Sequence, residues 1–109
     1  MNLVQELQDA IKTLDVMIKE MKSRGQDYAQ ARANYEIAKA ETMLKLRDDG
    51  IAVTATRDLA LGNRNVAQLR LKKDVAETLY KTVQEAIQTQ KLKIRMMEAQ
   101  VQREWGRNE

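Results

Sequence analysis

The chain has 109 residues, of which 43% are apolar and 32% charged, with a formal net charge of +3 and no proline, cysteine or histidine. Without cysteine and histidine, catalytic triads, cysteine nucleophiles, disulfides and the usual zinc sites are excluded. Because proline is a common turn residue, its absence predicts few and long elements, and charges of mixed sign are typical of solvated helical surfaces.

The first predicted element is one long amphipathic helix over about residues 3–49. Its apolar residues recur at alternating intervals of three and four from Val4 to Met21, and the same spacing resumes at Tyr28. This spacing is typical of the apolar seam of a coiled-coil helix. Gly25 interrupts the stripe without changing its phase, so the helix is expected to continue through it, at a cost of about 1 kcal/mol relative to alanine.

The second predicted element is a short helix over about residues 54–61, and the third is a long helix over about residues 65–105. In the third element, apolar residues again alternate at intervals of three and four, starting at Val66, and only Lys73 and Gln90 are polar on this stripe. Lys73 is expected to pack its stem and extend its ammonium group to solvent.

Capping signals accompany all three predicted helices. Side-chain caps are expected at the three helix starts, at Asn2 with Gln5, at Thr54, and at Asn65 with Gln68. Glycine is expected to end the first two helices, at Gly50 and Gly62.

These elements predict an all-α fold, a single domain over residues 1–109. Its two long helices form an antiparallel hairpin of coiled-coil type, with a short helix in the connector. A bend near residue 55 places Ile18 opposite Ile94 and brings Tyr35 near Tyr80, where both tyrosines are expected to pack in the core.

The apolar faces near the open end of the hairpin are wider than one partner helix can bury. Three columns of apolar residues run at seven-residue intervals in the first helix, and extra apolar residues lie off the main stripe of the last one. We therefore predict a homo-oligomer, a dimer or larger, that associates into a helical bundle. The predicted interface comprises Leu3, Ala10, Met17, Leu92, Met96 and Ala99.

The sequence shows no constellation that points to catalysis. The adjacent carboxylates after Arg47 do not face each other on a helix and are interpreted as a solvated helix end. No catalytic residues, metal ligands or cofactors are therefore predicted, and an enzyme is not expected. No apolar run is long enough to span a bilayer and no signal peptide is evident, so a cytoplasmic location is predicted.

The segment 51–73 also fits a helix-turn-helix, in which "VTATRDLAL" is the first helix and "RNVAQLRLKK" the recognition helix. The residues that would contact bases or phosphates are Arg64, Asn65, Gln68, Arg70 and Lys72. The alternative is a bent connector with solvated basic residues. The connector is favoured, because the second helix continues into the packed hairpin.

The stretch "LRDDGIAVTATRDLALGNRNVAQLRLKKDVAETLYKTVQEA" and the ending "REWG" resemble a group of small all-helical proteins. These are encoded by temperate phages and prophages of Gram-positive bacteria, often near replication and recombination genes. The resemblance implies a phage protein in the cytoplasm of a bacterial host, and it implies no activity or site residues.

Two functions are consistent with these patterns. The first is a non-enzymatic, oligomeric adaptor that binds itself and another protein. The second is a DNA-binding accessory protein of phage replication or recombination that acts through segment 51–73. No membrane partner is expected.

Overall fold

The chain is all-α and forms a long helical hairpin, as predicted. In the computed structural model, which describes residues 2–108, helix α1 spans Leu3–Asp48, α2 spans Val53–Leu61 and α3 spans Arg64–Asn108. The described residues contain no strand. Helix α1 runs through Gly25 without a break, as expected, whereas α3 continues past Gly106, where the apolar pattern predicted its end.

The two ends of α1 are built as the sequence indicates, with one exception. Asn2 Oδ1 accepts a hydrogen bond of 2.8 Å from the N–H of Val4 and so caps the first turn. The exception is Gln5, the other member of the predicted capping pair, whose side-chain amide donates to Asp9 Oδ1 at 3.0 Å. At the other end Gly50 has a φ of 89°, the left-handed conformation that glycine adopts without a steric penalty.

The caps of the two other helices differ from the prediction. Helix α2 starts at Val53 with Ala52 at the N-cap and no side-chain hydrogen bond there, so Thr54 is not a cap. Gly62 ends α2 as expected, with a right-handed φ of −83°. Helix α3 is capped by Asn63 rather than Asn65, since Asn63 Oδ1 accepts the N–H of Val66 at 3.1 Å.

The chain divides into two compact units. The terminal unit contains residues 2–23 and 81–108, which are the first half of α1 and the last part of α3. The central unit contains residues 24–80, which are the rest of α1, all of α2 and the start of α3.

In the terminal unit, the core is formed by the inner face of α3, where Ile87 and Ile94 are buried. Gln90, the polar residue on this stripe, donates its amide to the carbonyl of Ala10 at 2.9 Å. The predicted register would place Ala10 near residue 102 and is therefore wrong. Periodicity identifies which residues face inward, but it leaves the axial position of one helix along the other undetermined.

In the central unit, close packing between α1 and α3 depends on a glycine. The rings of Tyr28 and Tyr80 lie with their centroids 6.2 Å apart. A Cβ at Gly25 would lie only 3.2 Å from Cε1 of Tyr80, so the missing side chain lets the ring approach the α1 backbone. The predicted proximity of Tyr35 to Tyr80 is wrong, because Tyr80 pairs with Tyr28, which lies about two turns before Tyr35 on α1.

Tyr35 is instead surrounded by lysine side chains. It is buried, in agreement with the predicted core role, and its ring centroid lies 5.3 Å from Nζ of Lys39 and 5.1 Å from Nζ of Lys73. The Lys73 ammonium also pairs with Asp74 at 3.0 Å. This hydrogen bond raises the pKa of Lys73, partial burial opposes the shift, and Asp74, Glu77 and Tyr35 add favourable charge interactions.

We predict that Asn63→Ala lowers the free energy of unfolding by about 1 kcal/mol, because it removes the side-chain cap of α3. The matched variant Asn65→Ala alters a residue inside the helix and should change stability by less than about 0.5 kcal/mol. Urea denaturation of both variants makes the comparison. A larger loss for Asn65→Ala would indicate that α3 starts where the sequence pattern placed it.

Lys73→Met keeps an unbranched stem but removes the ammonium group. At neutral pH we expect a loss of about 0.5–1 kcal/mol of stability, the usual size of a cation–π contact. The exposed Lys91→Met is the control and should be nearly neutral.

The raised pKa of Lys73 gives this loss a pH dependence. A group with a raised folded pKa stabilises fully below its unfolded pKa of about 10.4, and the stabilisation is lost as the pH rises through the folded value. The difference between wild type and Lys73→Met should therefore be constant from about pH 7 to about pH 9 and shrink above that range. A difference that grows with pH would contradict the assigned contact.

Candidate interaction surfaces

The central segment 51–73 contains the most tightly buried residues of the central unit. Thr56, Ala60 and Val66 have no exposed surface. Thr56 and Ala60 lie one turn apart on α2, and Val66 lies in the first turn of α3. The hydroxyl of Thr56 donates to the carbonyl of Val53 at 2.8 Å, so its burial leaves no polar group unsatisfied. One face of α2 is therefore a structural element of the corner.

The five residues proposed for nucleic-acid contact are all exposed. With about 100° of rotation per residue, Arg64, Gln68 and Lys72 follow one another along one face of α3, and Asn65 lies beside them. Arg70 is about 200° from Gln68 and points to another side. The structure thus brings four of the five candidates onto one face and separates the fifth from them.

The same face of α3 continues as an apolar surface that the sequence pattern did not predict. Leu71, Val75 and Leu79 follow at intervals of four residues and are 64%, 50% and 39% exposed. They border a groove of about 310 Å³ whose other lining residues are Arg24, Asp27, Lys72 and Ala76. Their spacing was visible in the sequence, but they lie off the main stripe of the third predicted helix.

A second apolar surface of the central unit lies on α1. Its members are exposed and recur at intervals of four, four, three and four residues, at Ala29, Ala33, Ile37, Ala40 and Leu44. This stripe is on the side of α1 opposite Tyr35, since Ile37 is about 200° and Leu44 about 180° from it. The second half of α1 is therefore apolar on two faces, and α3 covers only the face that carries Tyr35.

The six residues predicted as an oligomer interface fall into two groups. Leu3, Ala10 and Met17 are half-buried. Leu92 and Met96 are 50% and 64% exposed, and Ala99 is exposed as well. Leu92 and Met96 each lie about 200° around α3 from the buried Ile94, so they point away from the core of the terminal unit. The second group alone forms an outward surface on α3.

This outward surface borders a groove of about 460 Å³ with a basic rim. Met96, Met97 and Ala99 provide its apolar part, and Lys93 and Arg103 provide the charges. Methionine is a flexible and polarisable residue that adapts to irregular partners.

Among residues 2–108, no group of three or more carboxylates has the geometry to hold a metal ion. No described helix has an apolar stretch long enough to cross a membrane.

Comparisons with known proteins gave no relatives of this chain. No protein family matches it, and neither a curated protein nor a solved structure is significantly similar to it. The resemblance to phage-encoded helical proteins therefore stays a prediction.

Proposed function

We propose that this protein is a non-enzymatic, self-associating helical module that binds itself and a further protein. The resemblance to phage-encoded proteins supports placing it in the cytoplasm of a bacterial host cell. The apolar surface that the hairpin leaves exposed supports self-association.

The observation that carries the proposal is the imbalance between exposed and buried apolar side chains. Among the described residues five apolar side chains are buried, whereas thirteen large ones are exposed. The exposed ones are Val4, Ile11, Val16, Ile37, Leu44, Val53, Leu59, Leu71, Val75, Leu79, Leu92, Met96 and Trp105. Single exposed apolar residues are normal, but runs of them along one helix face mark interfaces.

The accessible surface area supports the same conclusion. The chain exposes 8247 Å², whereas a compact monomer of 12.6 kDa is expected to expose about 6200 Å². The difference of about 2000 Å² per chain matches what obligate interfaces remove from each partner, since such interfaces bury about 2000–5000 Å² in total. Association would therefore bring the exposed area of each chain into the usual range.

The outward group of the predicted interface gives a direct test. Met96→Glu places a charge on the apolar surface of Leu92, Met96 and Ala99, and burying an unpaired charge costs several kcal/mol. We expect the wild type to sediment as a dimer or larger at about 10 μM, and Met96→Glu to weaken this association at least about tenfold.

Gln88→Glu is the matched control, because it adds the same charge at an exposed polar position of α3. It should leave the sedimentation profile unchanged. A wild type that sediments as a monomer at about 100 μM would contradict the proposal of self-association. Unchanged assembly of Met96→Glu would exclude this surface from the interface.

DNA binding is a second candidate, supported by the exposed face of Arg64, Asn65, Gln68 and Lys72 that follows the α2–α3 turn. The apolar residues further along this face count against it, because phosphate groups offer Leu71, Val75 and Leu79 no favourable contact. We therefore expect no duplex binding at physiological salt.

Electrophoretic mobility shift with duplex DNA at about 150 mM salt tests this candidate. The wild type should give no shift. A shift that is lost when Arg64, Gln68 and Lys72 are replaced by alanine, but retained in Arg70→Ala, would establish the DNA-binding alternative. Each lost phosphate contact would also reduce the salt dependence by about one unit of slope in log K against log salt.

A further inference from the structure

The outward face of α3 in the terminal unit has a symmetric pattern of side chains centred on the level of Ile94. Leu92 and Met96 lie two positions before and after Ile94, and each is about 160° around the helix from it. Glu85 and Arg103 lie nine positions before and after Ile94, directly opposite it on the helix. All four side chains are exposed. The face therefore has apolar residues at its centre and charges of opposite sign at equal distances from that centre.

This face of α3 points away from α1. Ile87 and Ile94 are buried on the opposite side of α3. Gln90, one turn before Ile94, donates its amide to the carbonyl of Ala10, which places α1 on that buried side. A helix that docks on Leu92 and Met96 thus approaches α3 from the side that α1 leaves open.

The order of the two charges identifies a second copy of the chain as the occupant. A two-fold axis requires a surface that is complementary to itself. In an antiparallel copy of α3, related by an axis level with Ile94, positions at equal distances before and after Ile94 face each other. Leu92 of each chain then packs on Met96 of the other, and Glu85 of each chain meets Arg103 of the other. A parallel copy would instead place like charges side by side, and charge complementarity of this kind fixes register and orientation.

The other charges near the centre of this face lie at its two sides. Lys93 and Arg95 are each about 100° from Ile94, on opposite sides of α3, and both are exposed. Their charged groups extend into solvent, where salt screens the repulsion between the two copies. Gln88 also lies at the edge, about 60° around the helix from Glu85, so a glutamate at this position stays solvated.

We propose that the surface of Leu92, Met96 and Ala99 is covered by a second copy of this chain, whose α3 lies antiparallel about a two-fold axis level with Ile94 and forms two reciprocal Glu85–Arg103 ion pairs. The inference rests on the proposed self-association, and it specifies the orientation and register of the partner on that same surface.

Cysteine cross-linking tests the geometry in the full chain, which has no cysteine of its own. Disulfides form when the two Cα atoms are within about 7 Å. Under mild oxidation, a mixture of Glu85→Cys and Arg103→Cys should form the mixed disulfide-linked dimer, which keeps one of the two ion pairs. Neither variant should form a linked dimer alone, because the axis separates like positions by about 27 Å along the helix.

In the control mixture Gln102→Cys takes the place of Arg103→Cys. Gln102 is exposed at nearly the same level of α3 but points about 100° away from Arg103. A mixed product of Glu85→Cys with Arg103→Cys at the low level of this control would overturn the proposal. Efficient self-cross-linking of Glu85→Cys would show a parallel arrangement and overturn it as well.

Charge reversal tests the ion pairs independently. Glu85→Arg and Arg103→Glu each place like charges at both reciprocal contacts and should weaken the dimer about tenfold. The double variant restores opposite charges and should recover most of the affinity. Glu98→Arg makes the same change of charge at an exposed position about 140° around α3 from Glu85, and it should have little effect. Failure of the double variant to recover would contradict the assigned pairs.

These results separate the inference from the proposal on which it rests. A wild type that sediments as a monomer would reject both. A wild type that associates and is weakened by Met96→Glu, but whose cysteine and charge variants behave as their controls, would reject the antiparallel arrangement alone. Circular dichroism of each variant checks that these exposed substitutions leave the helices intact.

Discussion

Two antiparallel helices can bury only the stripe that each turns toward the other, and this limit governs the rest of the molecule. In the terminal unit the stripe of α3 is centred on Ile87 and Ile94, and in the central unit Tyr35 of α1 and Val66 of α3 are buried. A hairpin has no third layer to cover the outer faces, so apolar residues placed there remain exposed in an isolated chain. Their number is the basis on which we propose that the chain associates with itself.

The buried stripe itself is narrow, and polar and small residues complete it. Gln90 bonds the carbonyl of Ala10 in the terminal unit, and Lys73 lies over the ring of Tyr35 in the central unit. Gly25 removes a side chain where the ring of Tyr80 approaches α1. These three residues look like defects in an apolar pattern, yet each has a partner on the opposite helix. They stabilise one alignment of the helices more than they add buried area.

The fold could be predicted because a 3.6-residue period persists over nearly the whole chain and no proline interrupts it. The helix starts were predicted less accurately. Asn63 and Asn65 are both suitable N-cap residues for α3, and only the geometry of the turn selects Asn63. The predicted register of α1 against α3 was wrong, because the register depends on individual contacts such as that of Tyr28 with Tyr80. For the candidate surfaces, Leu92, Met96 and Ala99 were predicted as apolar residues beside the inward stripe. Leu71, Val75 and Leu79 were not predicted, because they lie off the inward stripe and the sequence does not show whether a neighbouring helix covers them.

We propose that the folded hairpin draws part of its stability from contacts with other copies. Thermal unfolding at protein concentrations spanning about two orders of magnitude measures this contribution, because mass action couples folding to association. We expect the unfolding midpoint to rise steadily with protein concentration, and to rise less for Met96→Glu. A midpoint that does not depend on concentration, in a protein that remains fully helical, would show that the isolated chain is stable by itself and that contacts between copies do not stabilise the fold.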